Sequence, residues 1–360
     1  MENQTPTIKP LTSLRFVFAF MVFVSHLSFL KTSGSEHLKW LYEHIFYEGY
    51  IGVSFFFILS GFILSYNYQE LFSRENYPKL KFYIARIARI YPVHLLTLTM
   101  AIPLSWHILS ENIGIWFFRF FANLTLVQSF IPIKAVYFSF NGPSWSIVNE
   151  MFFYLLFPFI ILGLPRLLSK KYLILALLML VPLSVIIVPE EYFHFVYYIN
   201  PFVRTADFLM GILLYNLYKY YRHSRFNYNF LEYSSVFLLL IFYGFHSFIP
   251  QVARFSFYYW LPICYLLFSF SFQKGQLSRL LSHKSLMHLG EISFGFYMFH
   301  QLVIRYFVEF NNRFFQMKND GLAIGLLFLT TLLMSHFCYV FFEKPFNKKI
   351  KNYLGKKLNF

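Results

Sequence analysis

Charge is scarce in this sequence: 13% of its 360 residues are Asp, Glu, Lys or Arg, against roughly 25% in an ordinary soluble domain. There are two cysteines, Cys264 and Cys338, which allows no disulfide framework. Both fall in apolar stretches, so they read as buried thiols and carry no information about redox compartment. The sequence also lacks a phosphate-cradling glycine-rich loop, a paired metal-ligand spacing and a Gly-x-Ser-x-Gly elbow, so nothing points to a P-loop enzyme, a metalloenzyme or a serine hydrolase. No fixed-period repeat, low-complexity tract or duplicated half is present, which weighs against an inverted-repeat transporter. No hydrophilic stretch reaches the 50 or so residues of a separate domain. One membrane domain, 1–345, and a basic cytoplasmic tail, 346–360, account for the chain.

Apolar and aromatic side chains are abundant instead, at 58% and 23%. They concentrate in stretches such as Leu11–Leu30, Ile51–Tyr66, Tyr172–Val188 and Gly321–Phe342, each near the roughly 20 residues a helix needs to cross about 30 Å of hydrocarbon. The expectation is an all-α, polytopic integral membrane protein of about ten transmembrane helices, near 10–30, 48–68, 90–108, 143–163, 172–189, 201–219, 230–249, 255–272, 289–308 and 321–342. The segment Ser110–Pro143 is apolar but interrupted by Asn112, Gly114, Asn123, Gln128, Pro132 and Pro143, which predicts a partial or re-entrant helix there. The N-terminal stretch lacks a basic n-region and a small-residue cleavage site, so it is expected to stay as the first helix rather than leave as a signal peptide.

A net charge of +15 raises the question of nucleic-acid binding. Its distribution answers otherwise. With those spans, the side holding both termini collects 22 of the Lys and Arg residues and the opposite side nine. The clusters Arg74/Lys79/Lys81/Arg86/Arg89, Arg166/Lys170/Lys171 and Lys344/Lys348/Lys349/Lys351 therefore put both termini in the cytoplasm, with the bilayer and not nucleic acid as partner.

Ionisable groups retained inside spans are costly and mark candidate sites. Arg15 and His26 lie eleven residues apart in the first span, about 20° short of three whole turns and roughly 16 Å along the axis, so they share one side. The structural alternative is that each snorkels to its own headgroup layer. Ser146 and Glu150 are spaced i, i+4 at the start of the fourth span and share a face if that segment is helical. Glu150 either pairs with a cation, for example Arg204 in a purely structural bridge, or is protonated. Asp207 is a weaker case of the same kind. Arg86 and Arg89, one turn apart before Tyr91-Pro92 at the cytoplasmic mouth of the third span, suit a phosphate-bearing ligand through bidentate hydrogen bonds, or else mark topology or anionic lipid contact. His94, His107, His194, His223, His246, His283, His288 and His336 receive no role.

These residues sit in recognisable segments. Arg15-x10-His26, Gly52-Val53-Ser54-Phe55-Phe56-Phe57-Ile58-Leu59-Ser60-Gly61-Phe62, Arg86-x-x-Arg89, Asn141-Gly142-Pro143-Ser144-Trp145-Ser146-x3-Glu150-x2-Phe153-Tyr154, Glu291-Ile292-Ser293-Phe294-Gly295-Phe296-Tyr297-x2-His300 and Phe342-Glu343-Lys344-Pro345-Phe346 follow in order. The whole resembles the acyltransferase-3 family of integral membrane O-acyltransferases, which modify bacterial surface glycans. Two adjacent acids commonly follow the Trp-Ser segment in that family, whereas this chain has Asn149-Glu150. The chain is expected to end after its tenth span, without the extracytoplasmic esterase-like domain of some relatives, so that acceptor acylation falls to the membrane domain.

The resemblance implies an inner-membrane enzyme with acyl-coenzyme A, acetyl-coenzyme A in the simplest case, as cytoplasmic donor, no metal and no permanently bound cofactor. The acceptor would be a hydroxyl of an envelope glycan or lipid-linked sugar. It makes His26 the general base or acyl carrier and Glu150 the group that orients and stabilises it. Arg15, Arg86 and Arg89 hold the donor, while Trp145, Ser146, Asp207 and His300 contact substrate or support the site. A polytopic transporter, an exporter-like relative without transferase activity and a structural scaffold are the alternatives. Mild-alkali release of ester-bound acetate from surface glycan separates them.

Overall fold

The computed structural model describes residues 6–74, 77–168, 178–347 and 349–350. Among the described residues regular structure is helical, with no strand. The longer helices are α1 (Lys9–Ser25), α2 (Gly52–Arg74), α3 (Lys79–Ala101), α4 (Ile113–Leu124), α5 (Ser144–Leu168), α6 (Pro201–Tyr221), α7 (Tyr228–Gly244), α8 (Trp260–Ser271), α9 (Lys284–Phe310) and α10 (Asp320–Cys338). All-helical structure is what hydrocarbon demands, because a helix satisfies its backbone polar groups within one segment.

Four stretches are long and apolar enough to cross a bilayer: Lys9–Thr32, Glu36–Ser73, Ser144–Gly163 and Asp320–Asn347. A fifth is added if Lys79–Ala101 and Pro103–Glu111, bent by 49°, form one broken span. The bend has a local cause, since Pro103 cannot donate a helical hydrogen bond. Helix α4 runs for 12 residues, too short for a clean crossing, inside the segment expected to hold a partial helix. The beginning of the expected span 172–189, up to residue 177, lies outside the described residues.

The chain divides into two compact units. The first comprises Met1–Phe18, Ile51–Lys81 and Phe152–Gly290. Here α2 and α6 pack at backbone distance through glycines. A Cβ on Gly61 would collide with the Phe208 carbonyl oxygen, and one on Gly211 with that of Ile58. Small residues permit such approach where lipid supplies no hydrophobic drive between helices. Phe57 meets Phe153 edge-on at 5.0 Å, and Phe153 stacks on Phe208 at 5.0 Å.

Beside that seam lies a buried polar cluster. Arg204 and Asp207, both fully buried, form an ion pair with Nε 3.3 Å from Oδ2. Asp207 also accepts from Trp260 Nε1 at 2.8 Å and Ser256 Oγ at 3.2 Å, while Arg204 donates to the carbonyls of Tyr197 and Phe255 and to Ser54 Oγ. Farther along, Glu232 accepts from the backbone N–H groups of Gly275 and Ser278 and from the Ser278 hydroxyl.

The second unit comprises Ala19–Tyr50, Phe82–Met151 and Glu291–Phe360. Phe23, Phe296 and Phe328 meet in edge-on and tilted pairs at 5.7–6.2 Å, and a second core gathers Leu98, Ala101, Trp116, Phe140 and Leu302. Both lock α9 into this unit.

Candidate active site

Helix α1 stops at Ser25 because its last turn tightens: the His26 N–H bonds to Phe23 O at 3.1 Å rather than to Val22 O. The orphaned Val22 carbonyl is taken instead by the Ser25 hydroxyl at 2.7 Å and by His26 Nδ1 at 2.8 Å, a side-chain solution to the unsatisfied carbonyls at a helix end. The Tyr42 hydroxyl donates to Ser25 O at 3.0 Å and fixes the turn from outside. His26 therefore stands on the turn after α1, not on its face, and is half-buried.

From α9, the fully buried His300 brings Nε2 to 3.3 Å from His26 Nδ1, with ring centroids 4.9 Å apart. Its own Nδ1 lies 2.6 Å from Tyr297 O. A carbonyl oxygen only accepts, so Nδ1 of each ring carries a proton. In neutral rings, His300 Nε2 is then a lone pair that accepts from His26 Nδ1–H. The remaining basic nitrogen of the pair is His26 Nε2, which meets no hydrogen-bonding group among the described residues.

The segment expected from Asn141 to Ser146 forms the wall behind this pair. Phe140 adopts φ 57°, a left-handed conformation that is uncommon for a bulky residue and carries strain. Arg305 of α9 holds it there by donating to the Phe140 carbonyl. The turn directs Asn141 Nδ2 onto Met298 O at 3.0 Å. Ser144 Oγ reaches back to Asn141 O at 2.7 Å as α5 begins. Two residues later Ser146 Oγ, which donates to Pro143 O at 2.9 Å, lies 2.8 Å from the Tyr297 hydroxyl. Either hydroxyl can donate in that pair, and the Tyr297 hydroxyl also reaches Pro143 O at 3.5 Å. Tyr297 thus joins the two constellations, its hydroxyl to Ser146 and its carbonyl to His300.

The other expected site residues distribute differently. Trp145 is buried beside Ser146, and its carbonyl accepts from Ser129 Oγ at 2.8 Å. Glu150 is half-buried in α5, and the ring-nitrogen hydrogen bonds of His26 go to Val22 and His300. Arg86 and Arg89 are also half-buried and lie one turn apart within α3, which runs on through Pro92. Arg15 is half-buried in the part of α1 that belongs to the first unit, as do Asp207 and its partner Arg204.

Three contributors escaped the sequence reading: Tyr297, Tyr42 and Arg305. The spacing Tyr297-x2-His300 held a usable signal, since it places the Tyr297 carbonyl one turn before the ring it restrains. His94, given no role, is buried and bonds Asn123 O through Nε2 at 2.9 Å. The Asn123 side chain ties α4 to the start of α5 through Ser139 and Ser144.

The Acyltransferase domain family, acyltransferase-3, matches residues 9–342. The chain belongs to this family and is an acyltransferase. It is 29% identical over 327 residues to Acyltransferase MdmB of Streptomyces mycarofaciens, covering 85% of this chain and 81% of that protein. It is 26% identical over 321 residues to Peptidoglycan O-acetyltransferase OatA of Listeria monocytogenes, covering 82% of this chain and 49% of OatA. A putative acetyltransferase, ORF330, of Acidianus two-tailed virus is 29% identical over 180 residues, 49% of this chain and 50% of that protein. The chain thus spans about half the length of the last two. No solved structure matches it. Family and apolar helices together make it a membrane acyltransferase.

Proposed function

We propose that this acyltransferase moves an acyl group, acetyl in the simplest case, from cytoplasmic acyl-coenzyme A to a hydroxyl of a cell-envelope or extracellular glycan. It would do so within the inner membrane, crossing it about ten times with both termini in the cytoplasm. One observation carries the reading: His26 Nδ1 lies 2.8 Å from Val22 O and 3.3 Å from His300 Nε2, which assigns its proton to Nδ1 and leaves Nε2 as the basic nitrogen. The O-acetyltransferase named among its relatives acts on a glycan, and the charge asymmetry of the sequence supports the topology.

In the reaction, the acceptor hydroxyl attacks the thioester carbonyl as His26 Nε2 takes its proton. A C–O bond forms and the C–S bond breaks. The proton then passes from Nε2 to the departing thiolate, which restores the neutral ring. Arg86 and Arg89, one turn apart on α3, would bind donor phosphates through parallel N–H bonds, and Arg15 would steer the donor further in. Ser146 and Tyr297 would position the acceptor beside the base. Glu150 would stabilise the imidazolium through its charge rather than by a hydrogen bond to the ring.

The test compares ester-bound acetate released by mild alkali from surface glycan of cells with the wild-type gene, without it, and with His26→Ala. Loss in the last two, with the variant inserted at wild-type level, is the expected result. Wild-type ester content with His26→Ala overturns the reading.

A further inference from the structure

In the second unit one buried imidazole faces another. We infer that His300 is the positioning residue of the catalytic base, doing through a neutral ring what a carboxylate does in an Asp–His pair. This rests on the reading of His26 as base.

Three contacts carry the assignment. The Tyr297 carbonyl, 2.6 Å from His300 Nδ1, fixes the tautomer of the inner ring, so its Nε2 presents a lone pair. That lone pair lies 3.3 Å from His26 Nδ1, where it accepts the Nδ1–H shared with Val22 O at 2.8 Å. The outer ring is thereby held with its Nε2 unprotonated. Two consequences separate this from packing. When His26 Nε2 takes the proton of the acceptor hydroxyl, Nδ1–H becomes a charged donor and its bond to His300 strengthens, as charge-assisted bonds do. His300 Nε2 can also accept that Nδ1 proton outright, so one added proton is shared across the pair. Val22 O can orient the ring but cannot accept a proton in this way.

The test is the acyl transfer rate of purified full-length protein in lipid nanodiscs, with acetyl-coenzyme A as donor. His300→Phe keeps an aromatic ring and removes the acceptor. His300→Gln puts an amide oxygen near the position of Nε2 and keeps it. We expect kcat of the Phe variant to fall about 100-fold, in the range of positioned acid–base groups, with KM for the donor unchanged. The Gln variant should recover a measurable part of that loss. 15N spectra of histidine-labelled protein, with the His26 signal assigned by its loss in His26→Gln, should show His26 protonated at Nδ1 in the wild type. Protonation should shift toward Nε2 in His300→Phe. Equal losses in the Phe and Gln variants with an unmoved tautomer would make His300 a packing residue, and wild-type kcat in the Phe variant would remove it from the mechanism. Both outcomes leave the base assignment standing as long as His26→Ala is inactive. Activity in His26→Ala would fell the proposed function itself.

Discussion

Two buried polar clusters, one in each unit, use similar side chains to opposite ends. Around Arg204 and Asp207, charge meets charge, and indole, hydroxyl and carbonyl partners absorb the remaining donors and acceptors. Such a cluster holds helices in register. Around His26 and His300 the hydrogen bonds are just as short, yet they end on a ring whose Nε2 remains basic. A polar cluster in a membrane protein is structural when its valences close on themselves and chemical when one is left open.

The comparison breaks most visibly when each cluster is opened in turn. His26→Ala is expected to abolish transfer while the protein inserts at wild-type level, because the imidazole is half-buried and contributes no apolar span; quantitative blotting alongside the acetate assay checks both halves. Asp207→Ala should do the reverse. Leaving Arg204 buried without its carboxylate costs about 3–5 kcal/mol, so the yield of folded protein and its melting temperature should drop, while transfer per folded molecule is kept. Equal activity loss per folded molecule in the two variants would erase the distinction.

The unequal legibility of the two clusters has a physical basis. Arg204 and Asp207 are i, i+3 neighbours on one helix, so their pairing follows from helical geometry, although the bridge first considered for Arg204 was to Glu150. His26 and His300 are 274 residues apart, and only tertiary packing brings them together. His300 could be placed in a motif and called support, but its partner could not be read. The same limit explains Glu150, whose spacing from Ser146 is local while its distance from His26 is not. Helices α1, α2, α5 and α10 were legible because hydrophobic length sets them. Helix α3 starts before the expected third span, 90–108, and carries Arg86 and Arg89 within it. Lys and Arg are good helix formers, and α3 begins at Lys79.

A smaller effect sharpens the packing side of the comparison. Gly211→Ala places a methyl against the Ile58 carbonyl, in a seam of backbone with no flexible side chain to yield. A loss of about 1–3 kcal/mol is expected from such overpacking, read as a lower melting temperature with acceptor specificity unchanged. A variant as stable as wild type would show that the α2–α6 approach is looser than described.

A change of similar size concerns donor binding. Replacing Arg86 and Arg89 together with Lys keeps their positive charge but removes bidentate geometry, so insertion should persist and KM for acyl-coenzyme A should rise by roughly tenfold or more, about 1.5–3 kcal/mol for a charged hydrogen bond. Wild type should discriminate against a donor lacking the ribose 3′-phosphate, and the double variant much less. Equal discrimination would return both arginines to topology.

The claim that the open valence of the histidine pair is the catalytic base is tested most directly by single-turnover transfer from radiolabelled acetyl-coenzyme A to a sugar acceptor, using wild-type and His26→Ala protein purified in nanodiscs. The account predicts a rate below about one-hundredth of wild type for the variant at saturating donor, with donor binding intact. A variant that transfers acetate at the wild-type rate would contradict it.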